Sequence, residues 1–403
     1  MIAWHVYPLG FCGAPIRGES PYPFVPRLRR LTDWVEYAAG LGVDTLSLGP
    51  VFASSTHGYD TVDHFRIDPR LGDEADFDAL IAAAHGHGLK VLLDGVFNHV
   101  GVQHPLYQAA LNLDARASEF FVWSGGKARV FEGHPDLIEL NHGAECVAEL
   151  TRQVMGHWLD RGADGWRLDA AYATGPDFWG RVVPTVRAEF PRAYFFGELI
   201  HGNKVDFVNR STLDSVTQYE LWKAIWSSVK ARNFFELSWA LKRHGEFVRA
   251  FQPVTFIGNH DVTRIASQVG PAGAVLALVV LATVGGSPHI YYGDEQAYTG
   301  VKEDRAGGDD AVRPAFPATP GELAPNGWWM YDLTRRLIAV RREHPWLGRA
   351  EVTNQALACE QYVYRVSDPA NGTNWLDVTL DLTHGTRVSV AGPTGEVFAW
   401  SAN

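Results

Sequence analysis

Eight β-patterned apolar runs that alternate with helix-patterned stretches predict an α/β chain, a (β/α)8 TIM barrel. Two further observations complete that class. A polar, loop-rich stretch over 99–143 follows the third strand and reads as a short domain inserted in the third βα loop. Alternating Val, Tyr and Leu runs beyond residue 344, split by Gly, Pro and Asn, read as a small C-terminal antiparallel β domain. The expected organisation is therefore a catalytic barrel over 1–344, with domain B (99–143) inside it, and a β domain over 345–403.

The elements follow in order. Strands are expected at 3–7, 44–48, 90–97, 164–169, 193–198, 213–218, 254–259 and 288–292. Helical patterns fall at 33–41, 74–87, 144–161, 176–189, 219–232, 234–243, 273–284 and 328–342. In the C-terminal part, β runs are expected at 361–366, 375–382, 387–390 and 397–400. The most apolar run, 272–286, falls short of the ~20 residues that span a bilayer and reads as a buried helix.

Composition narrows the function. Lys and Arg number 35 against 46 Asp and Glu, a net charge of −11, and no basic run occurs. That balance argues against a nucleic-acid partner. Cys12, Cys146 and Cys359 are too few and too scattered for a disulfide framework or a zinc ribbon. The N-terminal residues lack a basic segment followed by an apolar one. A cytoplasmic protein without a membrane partner is expected. Aromatic residues make up 12%, and flat rings over sugar faces are one use of them, after core packing.

The chemistry is carried by the strand ends, because barrel enzymes assemble their sites there. The third strand closes Leu93-Asp94-Gly95-Val96-Phe97-Asn98-His99, the fourth Gly165-Trp166-Arg167-Leu168-Asp169. The fifth closes Phe196-Gly197-Glu198, the seventh Gly258-Asn259-His260-Asp261. Four acids at four strand ends converge on one mouth, an arrangement that a core does not tolerate without a use. Two acids on neighbouring strands, such as Asp169 and Glu198, can share one mouth with one carboxylate charged and one protonated. Arg167, two residues before Asp169, points to the same side and keeps that carboxylate ionised.

These segments resemble the α-amylase family of glycoside hydrolases, family 13. Asp94 with Asn98-His99, Arg167 with Asp169, Gly197-Glu198 and Asn259-His260-Asp261 resemble its four conserved regions in order. His57-Gly58-Tyr59-Asp60 and Tyr292-Gly293-Asp294-Glu295 are similar to further family segments, and Pro135-Asp136-Leu137 more loosely to its fifth region. The resemblance implies Asp169 as nucleophile, Glu198 as general acid and Asp261 as the residue that clamps sugar hydroxyls. It also implies that His99 and His260 donate to the sugar, that Tyr59 stacks beneath it with Asp60 orienting the ring, and that Arg313 lies on the substrate side. Asp94 and Asn98 are expected to be structural near the site.

Many secreted members carry a Lys-His pair three and four residues past the nucleophile, the His helping to hold calcium. Here those positions are Tyr172 and Ala173, and domain B is poor in clustered carboxylates. No metal and no cofactor are expected. Glu198-Leu199-Ile200 is most similar to the intracellular cyclomaltodextrinase, neopullulanase and α-glucosidase-like branch, whose extra N-terminal dimerisation domain is not seen here, so no oligomeric state follows. The expected activity is retaining hydrolysis of α-1,4-glucosidic bonds in short malto-oligosaccharides or cyclodextrins. A transglycosidase on the same machinery is the second reading, and an inactive scaffold member the third.

Overall fold

A computed structural model describes residues 1–18, 22–305 and 307–402. Its main sheet contains eight parallel strands: β1 (Ala3–Val6), β2 (Thr45–Leu48), β3 (Lys90–Gly95), β4 (Gly165–Leu168), β5 (Tyr194–Gly197), β6 (Ser215–Val216), β7 (Val254–Phe256) and β8 (Ser287–Tyr291). They neighbour one another in chain order, and β8 returns to β1 with Ala3 opposite His289. One parallel bridge, Thr217 to Val254, joins β6 to β7. The sheet is a closed barrel. All eight strands lie inside the expected ranges, apart from a one-residue offset at β8.

Around it run α1 (Val35–Leu41), α2 (Glu74–Gly86), α3 (Glu145–Asp160), α4 (Pro176–Glu189), α5 (Lys204–Ser211), α6 (Tyr219–Ala231), α7 (Phe235–Ala250), α8 (Ile265–Thr283) and α9 (Trp328–Glu343). Local chemistry explains several starts. Asp73 and Asp76 form a reciprocal capping box at α2, Pro176 opens α4, and Asn203 caps α5 through the Asp206 amide. The helix α5 escapes the sequence pattern because its buried stripe is Lys204, Phe207 and Ser211, with one apolar residue in it. The helix α8 is broken at Gly270 (φ +73°), where Pro271 restarts it, so the apolar pattern finds its later part. It is long and apolar enough to cross a membrane, yet 67% of that span is buried within the fold.

Beyond α9 lie β9 (Glu351–Leu357), β10 (Gln361–Asp368), β11 (Asn371–Asp381), β12 (Arg387–Gly392) and β13 (Gly395–Ser401), an antiparallel meander. The strand β9 was not expected: it is a largely exposed edge strand with little apolar alternation. The sheet is tied to the barrel by Thr283 Oγ1 with the Tyr364 hydroxyl (2.8 Å) and by Asn354 donating to Ser238 (2.7 Å). The excursion after β3 contains helices Pro105–Leu111 and Ala115–Ser118, and pairs His99–Gly101 with Leu137–Glu139.

Candidate active site

Strand register places the central residues. Arg167 lies opposite Asp94 on one side and Phe196 on the other, and Leu168 opposite Gly197. Alternation then turns Arg167 and Asp169 to the same, inward face. The Asp169 amide donates to the Gly95 carbonyl (3.0 Å) and the Glu198 amide to that of Leu168 (2.9 Å), so both acids project one step past the paired strands. Gly197 precedes Glu198 where a Cβ would stand 2.9 Å from Ala171 Cβ and Leu213 Cδ1.

One guanidinium organises the acids. Arg167 Nη1 donates to both Asp94 oxygens (2.8 and 2.6 Å) and to Asp169 Oδ1 (3.2 Å), and its Nη2 lies 3.0 Å from Glu198 Oε1. Glu198 also accepts from the Tyr219 hydroxyl (2.9 Å) and from the Ala170 amide (3.1 Å). Asp94 is fully buried and takes a further bond from the Tyr59 hydroxyl (3.0 Å). Burial pushes Asp94 and Asp169 upward, Arg167 opposes it, and for Asp169 the Glu198, Asp94 and Asp261 charges add to the rise. Three donors meet the Glu198 carboxylate and one, at 3.2 Å, meets Asp169.

A second group forms around Asp261. Its carboxylate meets His260 Nε2 (3.0 Å) and accepts from Arg313 Nη2 (2.9 Å), and its amide donates to Asn259 Oδ1 (2.9 Å). Partial burial pushes Asp261 up, but His260 and Arg313 outweigh it and hold the carboxyl well below the usual range. The Tyr59 hydroxyl meets His260 Nε2 as well and so joins the two groups.

The structure brings together Tyr59, Asp94, Arg167, Asp169, Glu198, His260, Asp261 and Arg313. Several expected roles change. His99 is buried with Nε2 on the Tyr59 carbonyl (3.0 Å) and Nδ1 facing the Asn98 amide (3.1 Å), so both ring nitrogens are engaged within the protein rather than offered to a sugar. Asp60 accepts from Thr56 (2.8 Å) and makes no hydrogen bond to the Tyr59 ring, which lies flat against His260 (5.4 Å, 8°). Arg313 serves Asp261 and the His260 carbonyl (2.8 Å) directly. Asp294 and Glu295 are bound inward, by Arg264 (2.9 Å) and Tyr37 (3.0 Å).

Sequence reasoning missed Tyr219 and Tyr7. Tyr219 follows the sixth strand and accepts from Asn259 Nδ2 (3.0 Å) while donating to Glu198. A survey of the residues that follow each strand into the next helix, not the acids alone, would find it. Tyr7 stacks on His260 (5.8 Å, 8°) with the Arg313 guanidinium over its ring (4.8 Å). On the Arg313 flank a cavity of about 420 Å³ opens between Tyr59, His57, His134 and Asp309. The residues do not fit the family's calcium site. Asp114 caps a helix, Glu132 accepts from Tyr172 (2.8 Å), Glu139 pairs with Arg129, and among the described residues no cluster of metal-ligating side chains occurs.

A barrel with these acids at its strand ends defines a glycosidase-type site, and comparison agrees. Residues 27–139 and 129–319 match the family described as "Alpha amylase, catalytic domain", and the chain belongs to that family of glycoside hydrolases. It is 30% identical to a cyclomaltodextrinase of Geobacillus thermopakistaniensis over 84% of this chain, and spans 60% of the length of that relative. It is 28% identical to a 4-alpha-glucanotransferase of Thermotoga neapolitana, over 96% of this chain and 97% of that one. In fold it is similar to the cyclic alpha-maltosyl-(1→6)-maltose hydrolase of Arthrobacter globiformis, with TM-score 0.83 at 24% identity over 100% of this chain and 98% of that one.

Proposed function

We propose that this chain is a retaining hydrolase of α-1,4-glucosidic bonds in short malto-oligosaccharides or cyclodextrins. The observation that carries the reading is the single Arg167 guanidinium shared by Asp94, Asp169 and Glu198. It holds two carboxyl groups of adjacent strands on one reacting carbon. In the first step an Asp169 oxygen bonds to the anomeric carbon, the glycosidic C–O bond breaks, and the leaving oxygen takes the proton of Glu198. Water then attacks the same carbon, Glu198 takes back a proton, and Asp169 is released. Asp261, kept ionised by His260 and Arg313, faces the positive charge that develops on the sugar.

The cyclomaltodextrinase relative supports the substrate class. The glucanotransferase relative, similar over nearly the full length of both chains, favours one second reading: a sugar hydroxyl in place of water in the second step. Cys12, Cys146 and Cys359 are all free thiols, which supports placement in a reducing compartment such as the cytoplasm. Proton NMR of the first product formed from maltotriose tests the mechanism: the α anomer is expected, and initial release of β refutes retention. Products longer than maltotriose in the same experiment identify transfer.

A further inference from the structure

The excursion after β3 returns over the barrel mouth at Phe131 and Glu132. Phe131 stacks on His99, with ring centroids 4.8 Å apart at 16°, and Glu132 Oε1 accepts from the Tyr172 hydroxyl at 2.8 Å. Tyr172 stands three residues past Asp169, and its amide donates to the Glu198 carbonyl (3.2 Å), so the contact lies beside the acid. Glu132 itself (φ +48°) and Ala170, two residues before Tyr172 (φ +45°), are held in left-handed backbone that residues other than glycine rarely adopt. Such conformations persist where surrounding contacts impose them, and they cluster at functional sites. Ile200, 41% exposed just past Glu198, and His201, its ring 6.0 Å from that of Tyr172, continue the same side. The cavity at Arg313 is bordered by His134 and Leu137 of the same excursion. The bridge crosses the mouth beside Glu198.

We propose that the Tyr172–Glu132 bridge sets substrate length by closing the leaving-group side of the cleft to long α-glucans. The inference rests on the hydrolase reading above. The test compares kcat/KM on α-glucosyl fluoride, maltotriose and maltoheptaose for the wild type, Tyr172→Phe, Glu132→Ala and Glu132→Gln.

Loss of one hydrogen bond of ordinary net strength corresponds to about fivefold. The maltoheptaose-to-maltotriose ratio is therefore expected to rise about fivefold or more in Tyr172→Phe and Glu132→Ala. In Glu132→Gln, whose amide oxygen still accepts from the phenol, it stays within about twofold of the wild type. A general structural disturbance would lower all three substrates together and leave the ratio in place. An unchanged ratio in active Tyr172→Phe and Glu132→Ala overturns the proposal alone. Failure of the wild type to cleave any of the three substrates overturns the functional reading and the proposal with it.

Discussion

Removing the Tyr219 hydroxyl separates the acid step from the rest of the chemistry. Tyr219→Phe deletes one oxygen from a ring packed edge-on against Phe256 (4.9 Å) and leaves the packing in place. The lost bond, 2.9 Å to Glu198 Oε1, is of the kind that contributes about 1.5–3 kcal/mol when one partner is charged. Glu198 becomes a carboxylate as the leaving oxygen takes its proton, so that stabilisation is felt in the transition state. Arg167 Nη2 remains on the same oxygen at 3.0 Å, which places the loss toward the lower end, about 10- to 30-fold in kcat/KM on maltotriose. With α-glucosyl fluoride, whose leaving group needs little protonation, the loss stays within about threefold. Glu198→Gln marks the ceiling of the same contrast. The variant also strips Asn259 Nδ2 of its acceptor, an orphaned donor that costs about 1 kcal/mol or more and a few degrees of melting temperature. Equal losses on the two substrates, or none on maltotriose, refute the assignment of Glu198 as the acid supported by Tyr219.

The acid limb of the kcat/KM profile is expected above the ordinary aspartate value of about 3.9, because burial and neighbouring carboxylates raise Asp169 and the nucleophile must be ionised. Activity falls as pH drops through that raised value, whereas the stability that the neutral Asp169 contributes is present at low pH and lost as pH rises through it. A limb at or below pH 4 contradicts this account. A chelator is expected to leave both activity and melting temperature unchanged, since the partnered acids of the excursion offer no calcium cage among the described residues. A fall of several degrees that calcium reverses refutes it.

The strand-end acids were legible because a barrel turns one-dimensional position into spatial convergence. Asp94, Asp169, Glu198 and Asp261 needed the strand pattern and little else. What a side chain touches across the mouth follows no such rule. His99 sits at a strand end, yet its ring is turned onto the Tyr59 carbonyl and the Asn98 amide. Arg313 lies 52 residues beyond Asp261, on a loop whose return no periodicity describes. Tyr7 and Tyr219 carry an aromatic signal that core packing produces just as readily. In the scaffold, α5 and β9 escaped for a related reason: a short helix with one apolar residue on its buried stripe and an exposed edge strand have too little apolar surface to pattern.

Charge accounting around Arg167 links geometry to reaction. Asp94, Asp169 and Glu198 all contact this one cation in a buried mouth, and three ionised carboxylates would leave two negative charges uncompensated. In the proposed mechanism the site retains one proton, which Glu198 gives to the leaving oxygen. With that proton present, the group still carries one net negative charge. Asp261 adds no excess, because Arg313 pairs with it directly at 2.9 Å. A neutral sugar does nothing to balance the remaining charge, whereas a sugar whose anomeric carbon has become cationic balances it fully. The attraction is thus greatest at the transition state, where it lowers the barrier instead of only tightening binding. Replacing Arg167 with a neutral residue would deepen the negative charge, yet it would also hold both protons on the pair and disable the nucleophile. In the proposed mechanism, one guanidinium for three carboxylates leaves one proton to give and one carboxylate to attack.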